Sequence, residues 1–179
     1  MHSPEILWHG GGNEAGKPDP VFAVDFHPRG VLATAGIDEN VPPKGSVRLW
    51  KVDSSTVKSV EDNFLLDLSD HQTAVNVCRF SPNGLMLASA SDRQIVVYSV
   101  KSASEWGSLK DVGVRGLERT WLRPSLDEIR DLQWSPDSTF IIAGSIDNKA
   151  EIMRVETRDS LLLHGHKNYV SLHLFFTSL

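Results

Sequence analysis

The residue types that could carry chemistry are few, and their spacing does not suit it. His164, His166 and His173 have no companion cysteine or carboxylate at zinc-ligand spacing, so loop or strand histidines are expected and no metal. Asp25, Glu128 and Asp131 fall on predicted strands without an evident paired carboxylate. Neither G-x-S-x-G nor H-E-x-x-H occurs. Gly10-Gly11-Gly12 is not followed by the Lys-Ser/Thr or the helical pattern of a phosphate cradle. The single cysteine, Cys78, excludes an internal disulfide and sits in a predicted buried strand, where it reads as a small core hydrophobe. Ser54-Ser55 and the serines at 102 and 104 read as solvated loops open to modification. No cofactor and no catalytic site are expected.

The elements that position these residues are strands. Residues 74–100 hold three short apolar runs, 75–80, 85–90 and 95–100, cut by Ser81-Pro82-Asn83-Gly84 and Ser91-Asp92-Arg93. Runs this short between turn formers are hairpin strands, and their near-continuous apolarity predicts a sheet covered on both faces. The unit recurs at 21–26, 31–36 and 47–52, and again at 129–134, 140–144 and 150–155. Fourth strands are expected at 64–68, 121–122 and 160–163. Residues 37–46 and the mixed-charge stretch 101–119 are expected to be insertions outside the sheets, the second a solvated loop.

Pro28, Pro82 and Pro136 are 54 and 54 residues apart, and Phe26, Phe80 and Trp134 repeat at the same interval. Asp38, Asp92 and Asp147 are 54 and 55 apart, while Trp50, Tyr98 and Met153 close the third strands. Such a period with four strands per unit is that of WD-repeat propeller blades. The fold class is therefore all-β: an incomplete propeller of three four-stranded blades at 21–68, 74–122 and 128–164. A strand at 5–9 and the start of a fourth blade at 166–179 flank them. Each proline presets its first hairpin, and Gly30 and Gly84 can take positive φ after it. The three prolines are expected on one common face.

In WD repeats the turn aspartate pairs with a histidine from the incoming loop and, through a strand Ser or Thr, with the tryptophan. The middle blade keeps most of this set as His71, Ser89, Asp92 and Tyr98. His71 is expected within reach of Asp92, directly or through Ser89, with both buried. The first blade has Asp38 and Trp50 without the histidine. The third has Asp147, with Ser125 and Met153 in the histidine and tryptophan places. This is a structural network, not a catalytic one. Incoming loops and second hairpins share one face, which places Glu39, Asn40, Gln72, Arg93, Asp127, Asn148 and Lys167 around the channel mouth as a candidate partner-binding rim.

Composition is ordinary for a globular chain, with 40% hydrophobic and 23% charged residues. A net charge of −5 opposes backbone-led nucleic-acid binding, which needs a basic face. No stretch approaches the ~18 apolar residues of a membrane span, and the start lacks a signal-peptide pattern, so a soluble intracellular chain is expected.

Trp8-His9, VFAVDFHPRG, ATAGIDEN, VRLWKV, AVNVCRFSPNG, DLQWSPD, GSIDN and HKNYV together resemble the WD-repeat, middle-sized subunit of chromatin assembly factor one. The sister family of histidine-regulator histone chaperones shares the Trp8 start, the VDFHP turn and the AVN strand. The resemblance implies a seven-bladed propeller whose N-terminal strand completes the last blade. It implies a non-enzymatic, nuclear histone chaperone subunit that helps place histone three–four dimers on replicating or repaired DNA. Its partners would be histones, a larger acidic subunit and a small WD-repeat histone binder, with DNA met only indirectly and no membrane. A replication-independent chaperone of the histidine-regulator type, or a WD-repeat adaptor such as a ubiquitin-ligase substrate receptor, are the alternatives. Seven blades cannot fit in 179 residues, so a truncated chain or fragment is expected.

Overall fold

The computed structural model describes residues 19–38, 42–52 and 63–170. The strand expected at 5–9, rim residues Glu39 and Asn40, the serine pair at 54–55 and the apolar end beyond Val170 lie outside the described residues.

Among the described residues, twelve strands form three antiparallel sheets, each in chain order. The first holds β1 (Val21–His27), β2 (Val31–Asp38), β3 (Lys44–Lys51) and β4 (Phe64–His71). The second holds β5 (Val77–Phe80), β6 (Met86–Ser91), β7 (Gln94–Ser99) and β8 (Glu118–Leu122). The third holds β9 (Ile129–Trp134), β10 (Phe140–Ser145), β11 (Ala150–Arg154) and β12 (Ser160–Leu163). Register repeats with sequence: Trp50 pairs with Leu32, Tyr98 with Leu87 and Met153 with Ile141. Gly30 and Gly84 take φ of 73° and 70° after their prolines, and Ser138 adopts 62° at the equivalent place.

Strand alternation sends successive side chains of the second sheet to opposite neighbours. Cys78, Leu87, Val96 and Tyr98 pack with Val31, Leu49 and Leu68 of the first sheet. Val77, Ala88, Ile95 and Val97 pack with Leu132, Trp134 and Ile141 of the third. This is why the strands read as continuously apolar: the middle sheet is buried on both faces. Each fully buried Leu or Ile contributes roughly 1.5–3 kcal/mol.

Two expectations are corrected. Residues 101–119 are not a solvated loop outside the sheets. They form short helical turns at Glu105–Ser108, Leu109–Val112 and Gly113–Gly116, and residues 118 and 119 belong to β8. Trp106 and Leu109 stand three residues apart on one helical face and are fully buried, while the charged Lys110 and Asp111 are exposed. The Trp106 ring lies edge-on to Phe80 at 5.4 Å, and its Nε1–H donates to the Gly84 carbonyl at 2.9 Å. Nor do residues 37, 38 and 44–46 lie outside the sheets: β2 runs on to Asp38, which pairs with Lys44 at the start of β3. The pairing of polar residues with one another hid both strand ends from a pattern that follows apolar runs.

Candidate functional site

The polar side chains concentrate where one sheet meets the next. β4 ends at His71, whose imidazole is fully buried against β6. Its Nδ1 lies 2.6 Å from Ser91 Oγ and its Nε2 2.7 Å from Ser89 Oγ. Ser89 and Ser91 are two apart on one strand, so both face the first sheet. Burial pushes the His71 pKa down to about 4, with the nearby Asp70 carboxylate working weakly the other way, so the ring is neutral at physiological pH.

Asp92 takes no part, contrary to expectation. It is exposed in the Asp92-Arg93 turn at φ 42°, and both ring nitrogens of His71 are taken by serines. The cause is a hairpin one residue shorter than that of the third sheet. Ser91 pairs with Gln94 to close the turn, whereas Asp147 stands two residues beyond Ser145. The shift from 54 to 55 in the aspartate spacing was the signal. Asp92 supplies its backbone instead, its carbonyl accepting Ile129 N–H at 2.7 Å.

Tyr98 is fully buried in the tryptophan position, with its hydroxyl facing the Asp70 carboxylate and Ser89. Burial, then the charge of Asp70, pushes its pKa far up. In the first sheet, Trp50 Nε1–H donates to Thr34 Oγ1 at 3.0 Å. Asp38 turns instead to Arg48, at 3.2 Å, and Arg48 also pairs with Asp67 at 3.0 Å. In the third, Asp147 accepts from Ser145 Oγ and from Lys149 Nζ. Burial opposes them, but these two donors hold the Asp147 carboxyl below its ordinary value. Met153 is buried, and Ser125, exposed in the histidine place, gives only its N–H, to Glu151 at 2.5 Å.

Sequence reasoning missed several links. His27 Nδ1 accepts Arg29 N–H at 3.1 Å, which fixes the proton on Nε2, 3.0 Å from the Gly84 carbonyl of the second sheet. Burial lowers its pKa. Asp25 accepts Phe80 N–H at 2.7 Å, and desolvation raises its pKa despite that bond and nearby Arg79. Trp134 Nε1–H donates to the Arg79 carbonyl at 2.9 Å. Only the 54-residue spacing of Asp25, Arg79 and Gln133 hinted that these positions meet. They line a surface cleft of about 540 Å³ that also gathers Pro28, Pro82 and Pro136. Cys78 is fully buried, and burial pushes its thiol up to about 12, which makes it unreactive at neutral pH.

At the opposite ends of the strands, each incoming loop bonds to the hairpin of the sheet before it: Val75 N–H to the Gly36 carbonyl, Ile129 to Asp92, and Val170 to Ser145. Here Arg93 of the second hairpin pairs with Asp127 of the following loop at 2.7 Å, both side chains well exposed. Gln72 and Lys167 are exposed in their loops, and Asn148 sits at φ 63° in its hairpin. Among the described residues, no group of three His, Cys, Asp or Glu could hold a metal.

Three four-stranded antiparallel sheets, face to face, with hairpins and incoming loops gathered at one end, define a β-propeller of the WD-repeat class. The chain belongs to the CAF1B/HIR1 beta-propeller domain family, which it matches over residues 1–173. It is 31% identical to a chromatin assembly factor 1 subunit of Gallus gallus over 93% of this chain and 30% of that protein. It is 32% identical to the chromatin assembly factor 1 subunit FAS2 homolog of Oryza sativa subsp. japonica over 93% and 30%. Protein hir1 of Schizosaccharomyces pombe is 28% identical over 95% and 19%. The chain thus spans about 30% of the length of the chromatin assembly factor relatives named here.

Proposed function

We propose that this chain acts as the propeller of a non-enzymatic histone chaperone subunit in nuclear chromatin assembly, coupled to replication or repair. The observation that carries the reading is the similarity to chromatin assembly factor 1 subunits along 93% of the chain, in bird and fission yeast alike. The propeller presents a face of hairpins and incoming loops, which suits a scaffold. Its partners are the histone three–four dimer, the large assembly subunit and the small WD-repeat histone binder, and DNA is reached only through them. The rim of Gln72, Arg93, Asp127, Asn148 and Lys167 is the partner surface. A capture assay with purified histone three–four dimers and the large subunit tests this. Arg93→Glu with Lys167→Glu should weaken capture of at least one, and unchanged capture of both would refute the rim assignment.

The second reading, a histidine-regulator type chaperone, rests on Protein HIRA of Zea mays, 32% identical over 74% of this chain and 14% of that protein. Capture of histones without the large assembly subunit would favour it.

A further inference from the structure

The two seams between the sheets are closed differently. Between the first and second, the connection after β7 folds back onto β4 and buries Trp106 and Leu109 in the outer part of the seam. The matching connection after β11, residues 155–159, is a short turn. Two clefts of about 320 and 430 Å³ adjoin that turn and share Arg158. Trp121 of β8 and Arg123, just beyond its end, line the first cleft, and Arg154 lines the other. Trp121 remains 38% exposed.

Three arginines gather there against two glutamates. Among the described residues, Arg48, Arg79, Arg93, Arg119 and Arg130 each pair with a carboxylate, whereas Arg123, Arg154 and Arg158, like Arg29 and Arg115 elsewhere, have no ion pair within 4 Å. Arg154 lies over the Phe140 ring, 4.6 Å from its centroid, within cation–π range. Arg158 sits in left-handed backbone at φ 65°, fixed by its N–H to the Arg154 carbonyl at 2.9 Å. Of the two glutamates in the walls, Glu151 is buried and already accepts Ser125 N–H, and Glu156 stands exposed at the lip. A guanidinium offers its fork of donors to carboxylates in pairs.

We propose that the seam between the second and third sheets is a docking groove for a short acidic peptide of a partner protein. Its carboxylates meet Arg123, Arg154 and Arg158, and one large apolar side chain enters beside Trp121, as Trp106 fills the neighbouring seam. A peptide fits better than a nucleic acid, because three cations on a chain of net charge −5 make no continuous basic track and the cleft is partly apolar. The inference stands apart from the chaperone reading, whose test uses the rim.

The experiment titrates the whole chain into a fluorescein-labelled dodecapeptide of alternating glutamate and leucine with one central phenylalanine, read by anisotropy. Saturable binding is expected, weakened at least tenfold by Arg123→Glu with Arg158→Glu and by replacing the glutamates with glutamines. Lys51→Glu, an exposed charge reversal elsewhere, should leave it unchanged. Arg158→Gly, which relieves the left-handed backbone and removes the charge, gives the same loss in a variant that keeps the fold. No binding, equal binding by the arginine variants, or tighter binding of a twelve-nucleotide single strand to the same groove would each overturn the proposal.

Discussion

Acid should loosen the seam between the first and second sheets through His71. The buried imidazole has a pKa of about 4, against 6.5 for a free histidine. As pH falls below about 6.5 the unfolded chain takes up a proton at His71, while the native chain resists until about 4. This contribution is therefore complete above 6.5 and is lost progressively as pH falls to 4. A separation of that size, at about 1.4 kcal/mol per pH unit, is worth roughly 3 kcal/mol. Urea unfolding at a series of pH values from 7.5 to 4, on the wild type and on His71→Gln, isolates it, because His27, also depressed by burial, is common to both chains. At pH 7.5 the variant should be less stable by about 1–3 kcal/mol, since it leaves the serine hydroxyls poorly matched. Its stability should then fall less with acid than the wild type's. Asp92→Asn and Ser125→Ala, at exposed side chains, should stay within about 0.5 kcal/mol of wild type at neutral pH. Parallel pH profiles for wild type and His71→Gln would refute the reasoning.

Two further outcomes are expected. Trp106→Ala removes a fully buried ring and its bond to Gly84, and should cost about 3–5 kcal/mol in urea melts. A loss below about 1 kcal/mol would mean the 101–117 connection is peripheral after all. The outward face of β1 exposes Phe22, Val24 and Phe26 in a row, so the isolated chain should self-associate in light scattering, and Phe22→Ser with Phe26→Ser should reduce this. A wild type that is monomeric at high concentration would contradict it.

The blades were legible because their signals are local. A turn proline, an apolar run of about six residues and a period of 54 mark strands whatever surrounds them. Burial is not local. Phe26, Phe80 and Trp134 share one register and one face, yet they are 61%, 8% and 1% exposed, because the last two have a described sheet in front of them. The Ser89-Ala90-Ser91 alternation showed which residues could meet His71, but the expectation followed the repeat's usual aspartate and passed over a hairpin one residue short. In the 101–119 stretch, charge and glycine content outweighed Trp106 and Leu109, although their spacing of three marked a buried helical face.

The links across the seams differ in a way that the repeat hides. Apolar faces built from the same Leu, Val and Ile positions are nearly interchangeable between blades, so packing alone does not say which sheet follows which. The polar links do. The first seam joins His27 to Gly84, Asp25 to Phe80, and His71 to two serines. The second joins Asn76 to Ile129, Trp134 to Arg79, Asn83 to Ser138, and Arg93 to Asp127. A sheet docked against the wrong neighbour would leave His71 or Asp25 buried without a partner, at roughly 1–3 kcal/mol each. The polar residues that differ from blade to blade, above all His71 and Asp25, therefore act as addresses: they make each blade accept one neighbour and penalise the others.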